Sequence, residues 1–165
     1  MLKICKKYIF PLLLVILVFL SYLQHTEITK LQSRLGYFYK TEFRTVLSLS
    51  SDYSTKYSFL SNSDPSSELL YEYSGKYLDA SLEISRINSR LALLSDTLQA
   101  IGNGLRQVDM QPDLVASILK DIKFVNEYVT HINDNLTDNE IDWYKNLHES
   151  TESELIEQIN SLLKN

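Results

Sequence analysis

Sixteen consecutive residues without a charge, Tyr8 to Leu23, open a chain whose later hydrophobic positions recur mostly at steps of three and four. That spacing puts one apolar side chain per turn on a single helix face, and no stretch alternates every second residue as a half-buried strand would. The pattern predicts an all-α chain. The uncharged run itself predicts a transmembrane helix, short of the ~20 residues a bilayer core asks for but lengthened by Ile4 and Cys5 if the flanking lysines extend outward. Lys3, Lys6 and Lys7 precede it, and Tyr8 and Tyr22 stand near its ends as interfacial aromatics do. The segment Ser21 to Thr26 offers no pair of small residues for signal peptidase, so an uncleaved signal anchor is expected.

Beyond the anchor the periodicity divides into four helices. The first, over about 27–61, carries Ile28, Leu31, Leu35 and Phe38, then Val46, Leu49, Tyr53 and Leu60, with Glu42 and Lys56 interrupting a strict heptad. Gln24-His25-Thr26 contains neither glycine nor proline, so the anchor is expected to run into this helix unbroken. A polar stretch from Ser61 to Ser67, with Pro65 placed as a first helical residue, starts the second helix at about 66. Its stripe from Leu70 through Tyr77, Ile84, Leu91 and Leu98 to Ile101 keeps the three-four step without a miss, which predicts one long, straight helix. Gly102-Asn103-Gly104 reads as its C-terminal cap. A third helix over 112–136 opens at Pro112-Asp113, and a fourth over 138–163 follows a capping-box spacing at Thr137 and Glu140. The fourth is weakest in the middle, where His148, Thr151 and Glu152 occupy positions that the stripe would fill with apolar residues. Short loops between amphipathic helices predict an antiparallel up-down four-helix bundle standing on the membrane anchor, with coiled-coil-like packing.

Composition and charge narrow the partners. Three of the sixteen Lys and Arg lie before the span, so residues beyond it carry thirteen basic against twenty-one acidic side chains, about −8. An acidic domain does not track phosphate backbones, and nucleic acid is excluded as a partner. The positive-inside rule places residues 1–7 in the cytoplasm and residues 24–165 outside it, as one domain of the cell membrane's outer side. Cys5 is the single cysteine and precedes the span, so the external domain must fold without a disulfide.

Two constellations could carry chemistry. The first and second helices are longer than the last two, so the tip of their hairpin should overhang, exposing Tyr53, Tyr57, Phe59, Tyr71 and Tyr73 as a partner-binding surface. The plainer reading of Tyr53 and Tyr73 is core, because both fall on their stripes. Glu127 and His131 are four apart on the third helix, as are His148 and Glu152 on the fourth. An antiparallel hairpin would bring the two pairs level, so they are the one conceivable metal site; four solvated side chains beside the seam is the plainer account. No glycine-rich phosphate loop, nucleophile elbow or cofactor motif accompanies them, and no enzyme and no cofactor is expected.

The expected function is that of a membrane-anchored extracytoplasmic scaffold or interaction protein, bound to the bilayer through 8–23 and to a protein partner or a second copy of itself. The alternative is a sensory, ligand-binding bundle. Its layout broadly resembles chemoreceptor ligand domains, and with a seven-residue cytoplasmic segment it would have to signal through a partner membrane protein.

Overall fold

The computed structural model describes residues 2–61, 66–108, 113–149 and 153–163, and the side chains of 10–60, 66–108, 113–149 and 153–161. These residues form seven α-helices and two short 3-10 turns, with no strand among them. Helix α1 runs Leu2–Ser50 without interruption. Its 49 residues extend about 73 Å at 1.5 Å per residue. The expected continuity of the apolar run with the first bundle helix is therefore present. Among the described residues α1 is also the one helix long and apolar enough to cross a membrane, and none of its most apolar window is buried.

Helix α1 stops at Ser50, eleven residues before the expected end, and the reason is local. Asp52 takes a left-handed backbone (φ 49°), a conformation that aspartate tolerates better than most residues. The last turn of a helix leaves carbonyls without partners. Here the Tyr57 hydroxyl donates to Leu49 O at 2.9 Å, and Lys56 Nζ donates to Ser48 O. The short helix α2 (Tyr53–Lys56) and the 3-10 turn Ser58–Ser61 follow.

The largest departure from the expected layout lies in 66–101. The predicted single straight helix is two, α3 (Ser67–Ile87) and α4 (Ala92–Leu105), joined by the 3-10 turn Ser89–Leu91. Asn88 breaks the helix with extended backbone (φ −161°, ψ 129°). Its side chain accepts from Arg90 N at 2.9 Å and donates to Leu147 O at 3.0 Å. Two hydrogen bonds thus replace the helical pairing given up there. The chain then folds back on itself, and α3 and α4 make the most extensive helix pair in the molecule. Ser74 Oγ donates to Gly102 O at 2.7 Å, Ser81 Oγ to Ser95 O at 2.9 Å, and Ser95 Oγ to Ser81 O at 3.1 Å. Positions 74, 81, 95 and 102 recur every seven residues about Asn88, so small side chains meet wherever the two backbones approach. The hydrophobic stripe is buried as expected, from Leu70 to Ile101, but its two halves face a core built on both sides of a hairpin.

The glycines after the stripe are not caps. Helix α4 continues through them to Leu105, and no described glycine has positive φ. They are spacers: a Cβ on Gly102 would lie 2.8 Å from Leu78 Cγ, and one on Gly104 would lie 3.0 Å from Ile118 Cγ1.

The third helix, α5 (Leu114–Asn135), is close to expectation. The fourth is broken into α6 (Glu140–Leu147) and α7 (Glu154–Leu163), at the place where polar residues had displaced the stripe. The cap of α6 is Asn139, whose side chain accepts from Ile141 N at 3.0 Å, and not Thr137, whose hydroxyl is paired with the Asp142 carboxylate. The second and fourth struts are thus each replaced by two shorter helices, and α3, α5 and α6 pack on the upper part of α1.

Four attachments fix α1 to the rest, one of them α5, whose Asn126 Nδ2 donates to Ser50 Oγ at 3.5 Å. Helix α3 runs antiparallel to it, with Tyr77 beside Leu49 O and Glu83 beside Glu42. Helix α6 crosses it at Gly36, where a Cβ would lie 1.7 Å from the Glu140 carbonyl oxygen, and Phe43 packs on Trp143 with ring centroids 5.9 Å apart. Asp138, in the turn before α6, receives Lys40 at 2.9 Å and Arg44 at 3.1 Å.

Candidate interaction surfaces

The tyrosine-rich tip turns inward. Tyr57 is 1% exposed, and its hydroxyl lies 2.8 Å from that of Tyr77. Burial, with each ring's charge disfavouring the other's, pushes the Tyr57 hydroxyl far above its ordinary range. It is a neutral hydrogen-bonding group that closes the end of α1. Phe59 and Tyr73 stack at 5.9 Å and Tyr73 meets Tyr57 edge-on at 5.0 Å; together with Tyr53 they are partly buried against the core. Of the five rings proposed as a binding tip, Tyr71 alone is exposed, at 63%. The expected overhang is missing because the second helix folds back at Asn88 and α2 packs on α5. Folding, not recognition, explains four of these rings.

Among the described residues, Glu127, His131 and His148 do not form one group. Glu127 and His131 share a shallow groove on α5 with Asn126, Thr130 and Asp134, and Glu127 faces Lys123 at 3.7 Å. His148 ends α6 and packs on Tyr144, with centroids 4.6 Å apart, and on Tyr39 of α1 at 6.3 Å. It is directed to α1 because α6 docks there, which an unbroken fourth helix would not have done. Glu152 lies outside the described residues. Among the described residues no group of three or more His, Cys, Asp or Glu is placed to hold a metal.

Two further surfaces emerge on α1. A groove of about 620 Å³ runs between α1 and α3, lined by Thr45, Leu49 and Ala80 and by charged groups of both signs, Glu42, Asp79 and Glu83 with Arg44 and Lys76. Burial, reinforced by Glu83, raises the Glu42 carboxyl above its usual range. Below the groove α1 is bare. Ile28, Leu31, Leu35 and Phe38 are 53%, 56%, 40% and 38% exposed, although they repeat at the three-four step of a buried seam. The sequence displayed these four residues plainly, but not that the bundle begins only at Gly36 and leaves them uncovered. Gly36 itself carried no signal in a single sequence beyond being a glycine inside a helical pattern.

Compared with known proteins, the chain matches no family model, and neither a curated protein nor a solved structure shows significant similarity to it.

Proposed function

We propose that the chain is a single-pass membrane protein whose helical domain stands outside the cytoplasm as a non-catalytic scaffold, docking another protein through α1. The observation that carries this reading is the bare apolar stripe Ile28, Leu31, Leu35 and Phe38, set between an apolar anchor and a closed core. Monomeric proteins seldom leave such a line of large apolar residues in water, and one rimmed by polar side chains marks an interaction site. The three lysines before the span support a cytoplasmic amino terminus, and the acidic balance beyond it keeps the domain off anionic headgroups.

The test is a photo-crosslinking side chain placed at Leu35 and, as control, at Lys30 in full-length protein in its native membrane. The scaffold reading expects a protein adduct of discrete mass from Leu35 and little from Lys30. Equal labelling by lipid at both positions, or no adduct at either, contradicts it. The groove between α1 and α3 supports a second reading, a sensory bundle that takes a small ligand there. That reading expects a specific compound to raise the melting temperature by mass action, and Ala80→Phe, which fills the groove, to abolish the shift.

A further inference from the structure

We infer that the bare face of α1 is covered by the same face of a second copy, as a parallel two-fold pair that begins in the membrane and rises to the α1–α3 groove. This inference rests on the reading of α1 as a membrane anchor, and it names the partner that reading leaves open.

Lipid does not cover the upper half of the face. Leu35 and Phe38 lie twelve and fifteen residues beyond Leu23, about 18 and 22 Å along the helix, whereas the headgroup layer adds only about 5–8 Å on each side of the hydrocarbon. The described part of the chain's own bundle does not cover it either, since Ile28, Leu31, Leu35 and Phe38 stay exposed with α3, α5 and α6 all packed on α1.

Three observations point to a second copy. The stripe does not start at Ile28: stepping back by four and three from it meets Gln24, Ser21, Leu17 and Leu14, all exposed and in one line with it. A seam that keeps one phase from the anchor into the domain suits a partner helix that also leaves the membrane, in the same direction. Next, the polar members of this line are Ser21 and Gln24, at the outer end of the span. A serine hydroxyl and a glutamine amide each donate and accept, so each complements its own copy across a two-fold axis, as a lysine or glutamate would not. Small polar side chains in this setting are the groups that hold membrane helices together. Last, every copy anchored through the same residues presents its stripe at the same height and heading, so Ile28 meets Ile28 and Leu35 meets Leu35 without any search for register.

The seam also has an upper end. The next positions in phase, Glu42, Thr45 and Leu49, form the α1 side of the groove, which leaves room beside α1 where α3 would otherwise block a partner. Glu42 is the first charge in the line, and meeting its own copy there it ends the tight part of the pair.

The test is disulfide scanning of the full-length protein in native membranes, in a Cys5→Ser background, with one cysteine at each position from 27 to 38. The expected profile peaks at 28, 31, 35 and 38, each at least about five-fold above its neighbours, as a parallel seam of period 3.5 requires. Leu31→Lys added to the Ile28→Cys protein should remove that crosslink while leaving the melting temperature of the bundle unchanged, because Leu31 is exposed and outside the buried core. A flat profile, peaks on the face of Ser33 and Tyr37, or seam cysteines that neither crosslink nor react with maleimide overturns the second copy as the occupant. Alkaline carbonate extraction is run on the same membranes. Protein that stays in the pellet without the periodic crosslinks defeats this inference alone, whereas protein released into the wash defeats the anchor reading and the inference with it.

Discussion

Residues 10–35 and 36–50 of α1 belong to one helix, yet the first part has no buried residue while the second buries Gly36, Tyr39, Phe43, Val46 and Ser50 along one face. Amphipathic spacing does not separate them, since both carry apolar residues at helical steps. What separates them is the neighbour each can accept. Above Gly36 the α1 surface has a small residue where a backbone must come close, charged groups at Lys40 and Arg44 for the Asp138 turn, and Phe43 for Trp143. Below it the stripe is equally apolar but stays exposed among the described residues. A hydrophobic face therefore states that burial is wanted; the small and charged residues around it state by what.

The comparison breaks most directly at its boundary. Gly36→Ala places a methyl group where the Glu140 carbonyl already sits, so α6 must lift off α1 and the upper half should come to resemble the lower. We expect a loss of about 3 kcal/mol or more, measured by thermal unfolding in detergent. The sole tryptophan, Trp143, is 1% exposed beside Phe43, and its emission should shift to the red before the helical signal is lost. Unchanged emission would mean that α6 does not rest on Gly36.

A smaller effect of the same kind is expected within the α3–α4 hairpin, where two glycines differ as the halves of α1 do. Gly102 is packed against Leu78 and Ser74, and a Cβ on Gly75 would meet nothing within 4 Å. Gly102→Ala should cost about 1–3 kcal/mol through overpacking. Gly75→Ala should instead stabilise by about 0.4–1 kcal/mol, because a helical glycine with open space for a methyl group only adds disorder to the unfolded chain. Opposite signs in a denaturant series check both at once, and equal signs would contradict the close approach at Gly102.

The smallest effect concerns the border between groove and stripe. The Glu42 carboxyl titrates near 4.5 when unfolded and higher when folded, from burial and then from Glu83. Between those values the folded state holds the extra proton, so this group's contribution falls as pH rises from about 4.5 through the folded pKa. Glu42→Gln should therefore melt slightly above the parent at pH 7, with the gap closing near pH 4. A gap that widens on acidification would show that Glu42 is held as a carboxylate.

Much of the core was legible in the sequence, because Leu70, Tyr77, Ile84, Leu91, Leu98 and Ile101 sit at a period that permits one buried face and are all buried. The reversal at Asn88 was not, since a three-four stripe has the same spacing whether a helix runs on or folds back with its halves in register. The serines and glycine at 74, 81, 95 and 102 did hold the clue, as a second seven-residue column symmetric about Asn88. The break in the last helix was foreshadowed by polar residues in its middle. Spacing within a helix is read from sequence, but which helix lies opposite is decided by Asn88, Gly36 and Asn139.

We propose that α1 passes from membrane to water to bundle along a single helix. It is tested by labelling single cysteines with a membrane-impermeant maleimide on intact cells, in a Cys5→Ser background. Leu17→Cys should be protected, Lys30→Cys and Arg34→Cys should react, and Val46→Cys, at 0% exposure, should be protected again until the protein is denatured. Reaction at position 17 as fast as at position 30, or reaction at 30 and 34 only after the membrane is breached, would contradict it.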